Sequence, residues 1–377
     1  MKAKYIKVKY INKEILKEVK ELKPNIYYNC KSKFPQIGKW ISGEDYPTYN
    51  QLIELSKLFN VPFGYFFLEK LPKYDLPIPH YRTIKENDFI PSEELLDTIK
   101  FAQKIQEWSK EILLEWGNTK IEFCGKYKNN YDLNAIIEEL KKIFDINEGW
   151  ANSQNTWKDA LKYLVSKAEE KGIIVLLNGI VGNNTHRKLN VEEFRGFVLY
   201  DEIAPVVFIN NNDAISAKIF TLIHEVVHLL IGQSASFDLR DFQAADNEIE
   251  KFCDKCTAEF LVPEKELSKL FQKKQDYEEL AKSFKVSQIV IARRLFDLNL
   301  INKKTFFEFL QNVEKTEYKK NLGKGGNFYD TEKNRLSPRF LRILKSAIES
   351  NTISFRDALL VTNLNIKTFS NLTSRIL

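Results

Sequence analysis

The sequence lacks the marks of a secreted or membrane-bound chain. Four cysteines occur in 377 residues: Cys30, Cys124, Cys253 and Cys256. They form no even, closely spaced framework, which points to a reducing compartment. No apolar run reaches the roughly 18–20 residues needed to cross a bilayer. The lysine-rich N-terminus has no apolar segment followed by a small-residue cleavage site. The expectation is a cytoplasmic protein with no membrane partner. The glycine-rich stretch 320–330, KNLGKGGNFYD, lacks the GxxxxGK[ST] order of a phosphate-binding loop and reads as a linker. Neither sign of charge dominates: 57 basic against 51 acidic residues leave a formal net charge of +6, mild for this length. Histidine is scarce as well, with four in the chain.

Two of those four fall in one helical pattern. Residues 221–230 read TLIHEVVHLL. His224 and His228 are four apart, so a helix presents both rings on one face, one turn from each other. That spacing lets one helix offer two nitrogens to a single Zn²⁺. Glu225, beside the first histidine, can take a proton from a water on the metal. Thr221, Leu222, Ile223, Val226, Val227, Leu229 and Leu230 carry no charge, as a helix under a cleft floor requires. A histidine pair and a carboxylate on such a helix would be costly without a partner.

A third ligand is sought in residues 246–263, DNEIEKFCDKCTAEFLVP. Ile249, Phe252, Cys253, Cys256, Phe260 and Leu261 recur at helical spacing, and Pro263 ends the pattern. The acidic candidates are Asp246, Glu248, Glu250, Asp254 and Glu259. Glu250 and Asp254 share a face, so one can bind metal while the other orients a histidine from behind. Spacing does not choose among them. Cys253 and Cys256 sit on apolar positions, and no second Cys-x-x-Cys pair completes a zinc ribbon, so both read as core packing.

The stretch 194–263 resembles the ImmA/IrrE family of metallopeptidases. The resemblance rests on Phe194-Arg195-Gly196-Phe197, Tyr200-Asp201, Pro205, Ile209-Asn210-Asn211, Phe220-Thr221-Leu222 and the HExxH core. It continues through Glu250-Lys251-Phe252-Cys253-Asp254-Lys255-Cys256-Thr257 and Leu261-Val262-Pro263. The chain departs from the family pattern at Cys253, Cys256 and Thr257, where Ala, Phe and Ala are commoner. The resemblance implies that Glu250 is the third ligand and that Asp254 takes the polar position behind the ligands. It also implies an endopeptidase that cleaves one protein partner, often a helix-turn-helix repressor. Zn²⁺ is the default ion, although two nitrogens and a carboxylate also suit Mn²⁺ or Fe²⁺. Arg195, Tyr200 and His186 are unranked candidates for steadying the oxyanion. The competing class is a DNA-binding or antitoxin-like regulator with a toxin-type partner, in which the peptidase fold serves as a scaffold.

Residues 1–40 hold eleven lysines and three glutamates, an electrostatic footprint that suits nucleic acid. Ile11, Ile15, Leu16, Val19 and Leu22 recur at helical spacing. Trp40-Ile41-Ser42-Gly43-Glu44, Pro47-Thr48 and the helix Gln51–Phe59 resemble the helix-turn-helix domains of XRE-type repressors. The recognition segment Pro35–Trp40 is short and starts with proline, which predicts a degenerate domain over 1–70. Lys31, Lys33 and Lys39 are its candidate nucleic-acid contacts.

The rest of the chain reads as follows. Residues 71–91 are a Pro-rich connector, extended rather than helical, and His80 within it reads as a surface or packing residue rather than a ligand. A metallopeptidase domain spans 92–265. It is expected to hold helices over 92–116, 133–144 and 157–171, and strands over 172–177, 193–200 and 205–210. Val206–Asn210 is the expected edge strand for pairing with an extended substrate. Residues 266–320 carry a second helix-turn-helix-like pattern, with Arg293 and Arg294 read as structural. Residues 321–377 form a linker and a C-terminal helical unit. The fold class expected is mainly α with a small β-sheet, an α+β zincin-like core flanked by helical domains.

Overall fold

The computed structural model describes residues 7–22, 27, 30, 31, 33–59, 63–70, 91–233, 235–237, 248–317 and 334–374. The Pro-rich connector with His80, and the glycine-rich linker 320–330, lie outside the described residues. The architecture is α+β, mainly helical with a small sheet. The chain divides into two compact units, residues 1–100 and 101–377. No described helix is long and apolar enough to cross a membrane.

The described helices of the first unit include α1 (Lys13–Leu22), α2 (Ile37–Ser42) and α3 (Tyr49–Phe59). Their apolar faces meet in a core of Ile15, Leu16, Phe34, Ile37, Trp40, Leu52, Leu55, Phe59 and Phe66. Gly43, at φ +80°, ends α2 in the left-handed region that glycine enters without strain. Thr48 and Gln51 start α3 with a reciprocal cap. The Thr48 N–H donates to Gln51 Oε1 at 2.8 Å, and the Gln51 N–H donates to Thr48 Oγ1 at 3.4 Å.

In the second unit the helices preceding the sheet are α4 (Glu93–Glu115, of which 101–115 belong here), α5 (Leu133–Phe144) and α6 (Trp157–Glu170). Asp132 caps α5, and Thr156 opens α6 in a capping box with Asp159. The strands are β1 (Ile174–Asn178), β2 (Ile180–Val181), β3 (Asn184–Lys188), β4 (Gly196–Leu199), β5 (Val206–Asn210) and β6 (Ala235–Phe237). Four of them form one sheet in the order β1-β5-β4-β6, and β2 and β3 make a separate hairpin. β1 runs parallel to β5, while β4 is antiparallel to both β5 and β6.

This order corrects one expectation. β5 is not an edge strand. It is bonded on both sides, buried at every position, and has no free edge for a substrate. Among the described residues the edges are β1 and β6. Local pattern sees that β1 and β5 are apolar runs but cannot say which lies outside, because their parallel pairing joins distant segments.

Helix α7 (Ile215–Leu230) packs against the sheet, and every residue from Lys218 to Leu230 is buried. A helix so enclosed must be apolar around its circumference. Its last carbonyls are satisfied by an irregular segment. Gly125 N–H donates to Leu229 O at 2.8 Å and Tyr127 N–H to Leu230 O at 2.9 Å. Gly125 has φ +71°, and a Cβ there would sit 2.6 Å from the Tyr200 hydroxyl, so the segment requires glycine. Against α7 lies α8 (Glu248–Leu261).

Beyond α8 come α9 (Glu264–Lys273), α10 (Tyr277–Phe284), α11 (Gln288–Asp297) and α12 (Lys303–Glu317). Arg294 on α11 is buried. It donates to Val262 O at 3.2 Å and pairs with the Glu259 carboxylate, while Arg293 pairs with Asp297. These arginines tie α11 to the end of α8 and to itself. The C-terminal helices are α13 (Pro338–Glu349), α14 (Phe355–Thr362) and α15 (Ile366–Thr373). Buried Glu169 on α6 accepts from Ser337 Oγ and from the Arg339 N–H (3.2 Å), fastening the start of α13 to the core.

Candidate metal centre

The helical period brings His224 and His228 onto one face of α7, and α8 lays Glu250 against them. His224 Nε2 lies 3.1 Å from His228 Nε2 and 3.1 Å from Glu250 Oε2. His228 Nε2 lies 3.3 Å from the same oxygen. All three residues are buried. Two imidazole nitrogens and a carboxylate oxygen thus converge on one point. Ligands bound tetrahedrally to Zn²⁺ would stand roughly 3.3–3.5 Å apart. The observed triangle is within a few tenths of an ångström of that.

The electrostatics describe a place built for positive charge. Burial alone would push the Glu250 carboxyl up, yet the two histidines hold it far below the usual carboxylate range. Burial likewise opposes a charge on His224, but Asp254 and Glu250 outweigh it and raise its pKa. At His228 burial wins, and the pKa is lowered. Asp254 Oδ1 lies 3.0 Å from His224 Nδ1. The pair lacks the alignment of a regular hydrogen bond, so the attraction is better described as electrostatic. A proton on Nδ1, facing that carboxylate, leaves the Nε2 lone pair aimed at the cluster.

Glu225 stands next to the triangle. It is fully buried, and neither carboxylate oxygen has a hydrogen-bond partner among the described residues. Burial pushes its pKa well above the ordinary value. A buried carboxylate without donors is costly, and such a group is kept where a ligand, an ion or a reaction uses it. The orphaned Glu225 oxygens and the convergent donor set together fit a divalent metal with a neighbouring proton acceptor. Above Glu225 runs β4. A Cβ on Gly196 would overlap the Thr221 methyl, sit 2.7 Å from Phe208 O and stand 3.6 Å from Glu225 Oε1. Glycine lets the strand pass this close.

The other sequence candidates are placed elsewhere. Arg195 is paired with Asp213 at 2.7 Å. The Tyr200 hydroxyl donates to Glu202 Oε1 at 3.2 Å. His186 is exposed on the β2–β3 hairpin. None of these contacts is with the cluster. Asp246 lies outside the described residues, and Glu259 serves Arg294. In the first unit Lys31, Lys33 and Lys39 are exposed, and Lys33 pairs with Glu54 at 3.2 Å. Two residues at the centre escaped the sequence reading. Gly196 was quoted only as part of a motif. Cys253, read as core packing, has its sulfur 3.8 Å from His228 Nδ1. Its position one residue before Asp254, on the same turn of α8, was the available signal.

No curated protein and no solved structure matches the chain. Residues 168–296, about a third of the chain, match the peptidase family model described as the IrrE N-terminal-like domain. That segment holds the sheet, α7, α8 and every member of the cluster, and the match supports an ImmA/IrrE-type family and a metallopeptidase-type function.

Proposed function

We propose that this chain is a Zn²⁺-dependent endopeptidase that hydrolyses a peptide bond in one specific protein partner. The observation that carries the reading is the buried triangle of His224, His228 and Glu250, beside a Glu225 carboxylate with no hydrogen-bond partner among the described residues. His224, His228 and Glu250 would hold the ion, and Asp254 orients the ring of His224. When bound, the metal acts as a Lewis acid that polarises the scissile carbonyl and makes water a stronger nucleophile. Glu225 accepts the proton of the attacking water and passes it to the leaving nitrogen. No described residue donates to Glu225, which suits this double task, since a carboxylate locked by hydrogen bonds could not serve two positions. Mn²⁺ and Fe²⁺ are the alternatives that the donor set admits.

Of the two sheet edges, β6 packs against α7. We therefore assign β6, in place of β5, to pairing with the extended substrate backbone. The partner we favour is a helix-turn-helix repressor, with the lysine-rich first unit holding the enzyme near DNA through Lys31 and Lys39. A cytoplasmic setting accords with four cysteines that are all free and buried. The second reading is a DNA-binding or antitoxin-like regulator with a toxin-type partner, favoured by the same exposed lysines. Purified protein incubated with products of neighbouring genes separates the two. The enzyme reading expects one partner to be cut by wild type and left whole by Glu225→Gln. Equal cutting by both proteins, or DNA binding with no cutting of any partner, would sink it.

A further inference from the structure

Each histidine of the triangle has a second nitrogen, and adjacent residues of α8 stand behind the two rings. Asp254 faces Nδ1 of His224. Cys253 faces Nδ1 of His228, with Sγ at 3.8 Å. Cys253 and His228 are both fully buried, so no solvent replaces this contact. A ring that ligates through Nε2 must carry its proton on Nδ1, and that proton needs an acceptor. Among the described residues, the partner of His228 Nδ1 is this sulfur. The opposite arrangement, an S–H donating to Nδ1, would put a proton on Nε2, where it would point into the donor triangle and block it.

We propose that Cys253 is a positioning residue of the metal centre: its sulfur accepts the Nδ1–H of His228 and fixes the tautomer that turns Nε2 toward the ion. The inference rests on the metal-binding reading above. It gives the two histidines unlike backing, a carboxylate for one and a thiol for the other. Sulfur is the weaker acceptor, so His228 is the less firmly oriented ligand. Sγ lies at the Nδ1 side of the ring, away from Nε2, so the thiol supports a ligand without being one.

The test measures Zn²⁺ affinity of the full chain by competition with a chromophoric chelator. Cys253→Val removes the acceptor and adds about a methyl group of bulk, while Cys253→Ser keeps a polar acceptor. Val should bind zinc about tenfold more weakly than wild type, with Ser recovering most of the loss. A Val variant within twofold of wild type would show that the thiol only packs, and would overturn this inference while leaving the metal site standing. Wild type that takes up no zinc would overturn both. Should the Val variant fail to fold, long-range proton–nitrogen NMR of zinc-loaded wild type decides instead. A His228 ring protonated at Nδ1 is expected, and protonation at Nε2 refutes the role. Co²⁺-loaded wild type should show no thiolate-to-cobalt charge-transfer band, and such a band would make Cys253 a ligand and refute the role as well.

Discussion

At Gly196 the strand over the centre passes close to Glu225, and replacing this glycine is a sharp probe of that packing. An added Cβ overlaps the Thr221 methyl and lies 2.7 Å from Phe208 O, a backbone atom of the neighbouring strand. The methyl can retreat only if Thr221 turns about its χ1 bond or α7 moves. The carbonyl can retreat only by disturbing the β4–β5 ladder, where Gly196 stands opposite Ile209. Overpacking of this kind costs about 1–3 kcal/mol, and the backbone carbonyl places Gly196→Ala at the upper end. Thr221→Ser removes one of the two clashes. In the Gly196→Ala background it should therefore return about 1 kcal/mol, a coupling within the range seen for contacting residues. Urea denaturation of both single variants and the double variant measures the cycle. Strict additivity, or Gly196→Ala within about 0.5 kcal/mol of wild type, would refute the claim that β4 presses on α7 at this point.

Other perturbations probe separate parts of the structure. Burial raises the Glu169 carboxyl from 4.5 to about 7, against the opposing pull of Ser337 and Arg339. The folded state then keeps a proton that the unfolded chain has released, so this contribution is complete below pH 4.5 and is lost as pH rises through 7. The difference amounts to about 3 kcal/mol. Wild-type stability measured against Glu169→Gln should show that decline, and parallel curves would contradict it. Arg294→Met removes the cation that pairs with Glu259 and binds Val262 O. Because Glu259 is partly exposed, a loss of about 2–3 kcal/mol is expected, at or below the low end for breaking a buried pair, and no change in a thermal melt would refute the anchoring. Chelation should lower the melting temperature of metal-loaded protein. Free ion at a thousandfold excess over Kd contributes about 4 kcal/mol, and a melt indifferent to chelator would argue against a bound ion.

Much of the centre was legible in the sequence because α-helical geometry is local. Four-residue spacing is enough to put His224 and His228 together on an uncharged helix. Choosing Glu250 over Asp254 needed a resemblance, since both residues share a face and spacing treats them alike. The apolar runs of β1 and β5 were legible as strands, but their order was not, because parallel pairing joins residues about thirty apart in the chain. β6 spans three residues and carries too little pattern to announce itself. In the sequence Arg195 reads as available for an oxyanion, whereas in the fold it is paired with Asp213. Cys253 was hidden by its own chemistry: a small, apolar-tolerant side chain at a helix position facing inward is read as packing, whatever polar atom stands behind it.

The most direct measurement is the metal content of the purified chain after equilibration with Zn²⁺, for wild type beside His228→Ala and Glu250→Ala. Wild type should hold about one ion per chain, as a site of three protein ligands requires, and both variants should hold far less at the same free zinc. Equal content in all three proteins, or none in wild type, would contradict the convergence of His224, His228 and Glu250 on a single ion.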